Sequence, residues 1–345
     1  MGVFDDVLKQ EETLFKDETA LDYDFLPKKL PNREGEQDHL ASCIKPLFHD
    51  RNGKNLFIHG PPGIGKTAAA RHVLMELEEQ TESISTVYVN CWQKNTSYKV
   101  LVDICDELGY KFTQNKQTGE LLKVIAKIAD KAVFVFDEID KVDDLNFLYS
   151  ILEETSKKSI FLITNYKSWL SELDERIKSR LTPEIVVFDQ YTYQETKDIL
   201  ADRLGYAFYD GVWMDDAFRK AVEKAFELKD IRSGLFLLKE AGDIAESKSK
   251  KKIELEHVKK ATEKLEDFTI KNSASLEEDT QLVYQVVKEN SKEKIGVLYE
   301  KYKEKSGTGS YKTFQRKISK LEEGRFLKTK RQVGKGGNTT IVEKN

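Results

Sequence analysis

The sequence predicts a mixed α/β protein in three parts: a base built on a parallel sheet, an all-α unit after it, and a small C-terminal unit of helices and a β-hairpin. Three observations carry this. From Asn55 to about Phe188, short apolar runs alternate with helical patterns, the signature of a parallel sheet covered by helices. After Tyr191 the strand signals stop and helical patterns follow one another. Residues 277–345 then show short helices and two β-like runs, and carry sixteen Lys and Arg against ten Asp and Glu. That is a net +6 on a chain of net −4, so a basic tail follows an acidic body, and nucleic-acid contact is expected at the C-terminus.

In chain order, the strand candidates are Leu56–His59, Thr86–Asn90, Ala132–Phe136, Ser159–Thr164 and Ile185–Phe188, with helices such as Ala68–Glu79 and Tyr98–Leu108 between them. The all-α unit reads as Tyr193–Leu204, Asp215–Glu227, Ser233–Ser247 and Leu255–Leu265. A polar stretch, Lys271 to Asp279, reads as a linker. Helices Thr280–Lys288, Ile295–Lys305 and Tyr311–Glu322 follow, then β-runs Phe326–Lys330 and Thr339–Val342 around a Gly-rich basic loop. Three helices and a hairpin make a winged helix. The expected domains are an N-terminal extension over 1–22, the base over 23–190, the helical unit over 191–272 and the winged helix over 273–345.

Composition excludes several classes. With 345 residues, 39% of them hydrophobic, the chain can bury real cores but is too long for one unit of ordinary size. Cys43, Cys91 and Cys105 form neither a disulfide framework nor a paired CxxC site, which points to a reduced, cytoplasmic protein without structural zinc. The N-terminus lacks the apolar core of a signal peptide, Asp6 spoils a myristoylation pattern at Gly2, and no stretch reaches the roughly 18 apolar residues of a membrane span.

The most specific motif is Gly60, Pro61, Pro62, Gly63, Ile64, Gly65, Lys66 and Thr67, with Ala68 opening the helix behind it. It matches GxxxxGK[ST] between a strand and a helix, so backbone N–H groups and the helix N-terminus can cradle phosphates. Lys66 is then expected to reach the β- and γ-phosphates and Thr67 to ligate Mg2+. Downstream, the apolar run Val133–Phe136 ends in Asp137 and Glu138. Taken alone, such a pair also reads as a turn or helix cap. After a P-loop, Asp137 reads as a Mg2+ ligand and Glu138 as the group that polarises the attacking water. A further strand ends in Thr164 and Asn165, and Asn165 is placed to orient the same water.

With these residues the chain resembles AAA+ ATPases, and within them the archaeal Orc/Cdc-type replication initiators. The resemblance covers most of the chain. It implies an AAA+ P-loop NTPase base, a helical lid and a winged-helix DNA-binding domain. The segment Asp24 to Glu34, with Pro31 and Arg33, resembles the family's stretch that passes the adenine. Val89-Asn-Cys and Thr96 to Leu101 resemble its second strand and following helix. Tyr191, twelve residues before Arg203, implies two nucleotide contacts, and Lys229-Asp-Ile-Arg232 aligns with a Gly-Asp-x-Arg sensor in which Lys229 replaces the glycine. Arg180 implies an arginine finger acting across subunits, with Arg176 as its competitor. The family also carries a DNA-touching insertion; here Tyr110–Gly119 is short and only modestly basic.

On the helical wheel of Tyr311–Glu322, Phe314, Ile318 and Leu321 share one face, while Lys312, Thr313, Arg316, Ser319 and Lys320 share the other. With Lys328, Lys330, Arg331 and Lys335 of the wing, that second face is the expected DNA surface. The function the resemblance implies is an ATP/ADP-switched initiator, slow in hydrolysis and nucleoid-associated. It would bind double-stranded origin DNA, recruit an MCM-type helicase and assemble with further copies or paralogues. Two other readings stand beside it. A clamp-loader-like subunit suits Ser179 and Arg180, although clamp loaders end in an all-helical collar, and a P-loop winged-helix transcription regulator would bind at promoters instead.

Overall fold

A computed structural model of the chain describes residues 13–274, 278–305, 307, 309–323, 326–334 and 337–344. Two compact units emerge, Met1–Ala261 and Thr262–Asn345.

The first unit begins with α1 (Glu34–Ile44), β1 (Leu56–His59), α2 (Lys66–Gln80), β2 (Ser85–Asn90), α3 (Ser97–Glu107) and α4 (Thr118–Ile128). It continues with β3 (Lys131–Asp137), α5 (Asn146–Glu154), β4 (Lys157–Thr164), α6 (Trp169–Glu172), α7 (Glu175–Leu181) and β5 (Glu184–Val187). Among the described residues, the strands form a five-stranded sheet in the order β2-β3-β4-β1-β5, and every neighbouring pair is parallel. A parallel sheet is covered on both faces, which is why β3 and β4 read as nearly unbroken apolar runs. Strand alternation divides those runs. Phe57, Phe134, Phe136, Ile160 and Leu162 join one core with Val100, Leu121 and Phe147. Leu56, Ile58, Val133, Val135, Phe161 and Ile163 join the other with Leu40, Ala69 and Val73. Each such side chain contributes about 1.5–3 kcal/mol when fully buried. The order sets β1 beside β4 and β4 beside β3, so the polar residues that end these strands meet at one edge.

Helices α8 (Tyr193–Ala207), α9 (Asp215–Leu228), α10 (Ile231–Ser247) and α11 (Leu255–Ala274) follow. A reciprocal cap starts α8: Glu195 N–H donates to Thr192 Oγ1 at 3.3 Å and Thr192 N–H to Glu195 Oε2 at 2.7 Å. Residues 13–22 pack on these helices. Lys16 N–H donates to Ala207 O at 2.8 Å, Phe15 stacks 4.6 Å from Phe208, and a Cβ on Gly242 would stand 2.4 Å from Phe15. Helix α11 runs to Ala274, through the first residues expected to form a linker, because no Gly or Pro interrupts Lys271–Ala274. No described helix is long and apolar enough to cross a membrane.

In the second unit α12 (Glu278–Glu289), β6 (Glu293–Lys294), α13 (Ile295–Glu304), α14 (Tyr311–Glu323), β7 (Leu327–Gly334) and β8 (Gly337–Lys344) build a winged helix. β8 pairs antiparallel with both β6 and β7. β6 was not legible in the sequence, because two residues are too few to show alternation. Tyr302 organises the turn between α13 and α14. Its hydroxyl donates to Asp279 Oδ1 at 2.6 Å and accepts from Gly309 N–H at 2.8 Å. A Cβ on Gly307 would lie 2.4 Å from the same ring, so the close approach requires glycine.

Candidate active site

The loop between β1 and α2 turns on glycines. Gly63 and Gly65 take φ of 75° and 88°, left-handed values that suit glycine. A side chain at either position would also crowd a neighbour. A Cβ on Gly63 would stand 2.0 Å from Asp230 Oδ1, and one on Gly65 2.6 Å from the Tyr191 hydroxyl. The Lys66 side chain is buried, and its ammonium donates to Gly60 O at 2.8 Å, Pro61 O at 2.7 Å and Asn165 Oδ1 at 2.8 Å.

The carboxylates stand at the end of β3. Asp137 is 4% exposed, and its Oδ2 accepts from Thr67 Oγ1 at 2.6 Å and from the Tyr88 hydroxyl at 2.9 Å. The Glu138 N–H donates to Asp137 Oδ1 at 2.9 Å. Those donors satisfy the oxygens of a buried side chain. Glu138 itself sits in the left-handed region, φ 53°, and its carboxyl is pushed above its usual range, chiefly by burial and then by Asp137 and Asp140. Asn165 joins the two halves. Its carbonyl oxygen accepts from Lys66, while its amide nitrogen lies 3.3 and 3.4 Å from the Glu138 oxygens. Next to it, Thr164 donates to Asp140 Oδ1 at 2.6 Å, which ties the end of β4 to the turn after Glu138.

These groups form one end of a cavity that reaches from the sheet edge to the helical lid. The other end is apolar, walled by Phe25, Leu30, Ile199 and Leu235, with Pro31, Pro62, Ala68 and Tyr191 between. A flat apolar base and a charged phosphate tail fit those two ends. Hard oxygen donors, the Thr67 hydroxyl and the Asp137 carboxylate, fit Mg2+. The lid touches the loop directly, since Ile231 N–H donates to Gly63 O at 3.3 Å. Arg232 lines the cavity, about half exposed, with its Nε 3.2 Å from Asp230 Oδ1.

On α14 the predicted faces separate. Phe314, Ile318 and Leu321 are buried, while Lys312, Arg316 and Ser319 are exposed. Thr313 belongs partly to the helix start, where its N–H donates to Ser310 Oγ at 3.2 Å. Lys317 is buried and pairs with Asp279 at 2.7 Å. Lys328 and Lys330 are exposed on β7, with Lys330 3.6 Å from Glu343. Lys335 lies outside the described residues, as do the side chains of Lys320 and Arg331.

Comparison with known proteins decides the family. Residues 49–170 match the AAA domain and residues 197–263 the Cdc6 AAA+ ATPase-type lid domain. The ORC1-type DNA replication protein 1 of Archaeoglobus fulgidus is 32% identical over 344 residues, 93% of this chain and 84% of that protein. That of Sulfurisphaera tokodaii is 35% identical over 284 residues, 76% of this chain and 71% of that protein. This chain belongs to the ORC1-type DNA replication proteins. It is an AAA+ ATPase and a replication initiator. Its fold matches the Aeropyrum pernix ORC1 protein, determined in complex with DNA, with a TM-score of 0.72 at 29% identity, over 97% of this chain and 94% of that one.

Within this ORC1-type chain, several predicted nucleotide residues act from behind the cavity. Arg33 is buried under the loop: its guanidinium donates to Ile64 O at 3.2 Å, the Tyr191 hydroxyl at 3.1 Å and Asp189 O at 2.7 Å, and lies 4.0 Å from the Tyr191 ring. The Ile64 side chain is core, and Gly60 and Pro61 border a second cleft with His59 and Lys167. Arg203 lines the cavity, yet its guanidinium donates to Ala20 O and Phe25 O, both at 3.0 Å, and so holds the segment that walls the apolar end. Arg180 is absent from the lining of this chain's own cavity; it bonds Glu153 and lies 5.0 Å from the Tyr149 ring, while Arg176 pairs with Asp174 at 3.0 Å. Sequence reasoning missed Tyr88, Arg71 and Asp230. Strand parity on β2, with Val87 and Val89 turned to one core, was the available signal for Tyr88.

Proposed function

We propose that this initiator grips duplex origin DNA with its winged helix and uses the nucleotide cavity as a slow ATP/ADP switch that governs recruitment of an MCM-type helicase. The observation that carries the DNA reading is the division of α14, whose apolar face is packed while Lys312 and Arg316 face solvent. Exposed Lys328 and Lys330 extend that cationic surface on β7. The DNA-bound Aeropyrum pernix relative supports the same reading. In the cavity, Lys66 binds the phosphates, Thr67 and Asp137 hold Mg2+, and Glu138 takes a proton from water aligned by Asn165. Mg2+, when bound, supplies the positive charge that offsets charge developing on the phosphates. Arg232 reaches the phosphates from the lid, and Arg180 serves the cavity of a neighbouring copy or paralogue on DNA. The protein then resides on the nucleoid in the cytoplasm.

The test is duplex binding by the full chain across a salt series, with origin and random sequences compared. Replacing Lys328 and Lys330 with Ala should weaken all duplexes alike and reduce the salt slope by about two units. Arg316→Ala should narrow the gap between origin and random DNA by about 1–3 kcal/mol, the worth of a bidentate base contact. Salt-independent binding, or none, would remove the DNA reading. Chromosome-wide occupancy at scattered promoters instead of origins would favour a transcription regulator.

A further inference from the structure

We propose that His39, Cys43 and Glu184 form a zinc(II) site where α1 meets the start of the edge strand β5, at the end of the sheet where its parallel strands begin and away from the P-loop that follows the end of β1. Cys43 follows His39 by four residues on α1, so both project from one helical face. Glu184 opens β5, which the parallel pairing with β1 brings alongside, Leu56 standing opposite Glu184. The imidazole nitrogen, thiol sulfur and carboxylate oxygen of these residues all lie within 4.8 Å of one another. His39 Nε2 is 3.0 Å from Glu184 Oε2, and Cys43 Sγ is 3.8 Å from the same oxygen.

The two separations from Glu184 Oε2 bracket what one tetrahedral ion needs. Zinc bonds of about 2.0–2.3 Å to N, O and S place neighbouring ligand atoms roughly 3.3–3.7 Å apart. The mixture of one sulfur, one nitrogen and one oxygen suits a borderline ion such as zinc better than Mg2+ or Ca2+, which prefer oxygen alone. Three protein ligands leave a fourth position for water. His39 and Glu184 are about two-fifths exposed, which gives the ion a route in, while Cys43 is fully buried and fixes the inner corner.

The surroundings divide the labour of the carboxylate. Lys54 Nζ takes Glu184 Oε1 at 2.8 Å, so Oε2 is the oxygen turned to His39 and Cys43. Lys54 also donates its backbone N–H to Cys43 O at 2.9 Å, which pins the helix to the loop entering β1. Such outer contacts orient ligands around a metal. Binding zinc replaces the S–H bond of Cys43 with an S–Zn bond and releases the proton to solvent. The site then joins α1 to β5 by coordination, and no step in ATP hydrolysis passes through it.

The experiment uses the full chain, stripped with a chelator and titrated with cobalt(II) as a spectroscopic stand-in. One equivalent should produce thiolate-to-cobalt charge-transfer absorption, and zinc should displace it. Cys43→Ser should abolish the band. His39→Ala and Glu184→Gln should weaken cobalt and zinc binding at least tenfold while leaving basal ATPase activity unchanged, which shows that the variants fold. Zinc should raise the Tm of the wild type and not that of Cys43→Ser. Absence of the band, or a band of undiminished affinity in both His39→Ala and Glu184→Gln, would overturn the site and leave an ordinary ion-pair cluster around Glu184.

Discussion

Asn165 faces two ways, and its amide reads the chemistry on both sides. The oxygen takes the Lys66 ammonium and the nitrogen lies against Glu138, so phosphate-binding and water-activating groups share one rigid strand end. Lys66→Ala removes the ammonium, and with charge-assisted hydrogen bonds contributing about 1.5–3 kcal/mol each, ATP affinity should fall roughly a hundredfold in an equilibrium titration. Glu138→Gln keeps the shape and should preserve ATP affinity while single-turnover hydrolysis drops by about 10²–10⁴. Full hydrolysis by that variant would remove Glu138 from the mechanism. Lys229 carries a separate signature. It caps α9 at φ 55° and ψ 36°, the left-handed conformation that explains why the aligned motif has glycine there. A non-glycine residue in that region costs about 1–2 kcal/mol, and glycine adds back about 0.5–1 kcal/mol of unfolded-chain entropy. Lys229→Gly should therefore stabilise the first unit by roughly 0.5–1 kcal/mol in a denaturant melt, and a destabilised variant would mean that the Lys229 side chain supplies compensating contacts.

Helix α14 shows how an element is held so that one of its faces is left for a ligand. Its apolar residues join Val283, Leu298, Tyr302 and Val342 in the core, and its buried cation, Lys317, is met by Asp279. Burial pushes the Asp279 carboxyl up, but hydrogen bonds from Lys317 and Tyr302 overcome it and leave the group below its ordinary value of 3.8. A carboxylate lowered in the folded state stabilises above that ordinary value, and the contribution is lost as pH falls through the lower folded value. Asp279→Asn leaves the Lys317 ammonium without its counter-charge. Removing one member of a buried pair costs about 3–5 kcal/mol, and Asp279 is partly exposed, so about 2–3 kcal/mol is expected at neutral pH. Hydrogen exchange of α14 amides should report this loss, and the difference between wild type and variant should shrink as pH falls below 3.8. A difference that stays constant with pH would assign the effect to packing.

Across the first unit, the lid reports on the loop through a short path: Ile231 N–H on Gly63 O, Asp230 against Gly63, and Arg232 at the cavity wall. Arg232→Ala should leave ATP binding largely in place while ATP protects the amides of α8–α10 from hydrogen exchange less than in the wild type. Equal protection in both proteins would sink the coupling role. Much of this molecule was legible in its sequence. The strands, the P-loop, the carboxylates at the end of β3, Asn165 and the two faces of α14 all follow from local periodicity and from residue types that only a few structures accommodate. The strand ends converge because apolar runs without alternation demand a sheet covered on both faces. Other roles depended on closure of the chain over long separations. Arg33 and Arg203 sit on motif positions, yet tertiary packing made them clamps on Ile64 O, Ala20 O and Phe25 O. Residues 13–22 joined the helical lid, Lys317 went inward while its neighbours stayed out, and Cys43 met His39 and Glu184. Sequence by itself determined which chemical groups each element presents and on which face, because side-chain period and backbone propensity are local properties. Only the tertiary structure decided which partner each group meets, because a hydrogen bond or ion pair between distant residues exists only once packing has fixed both ends.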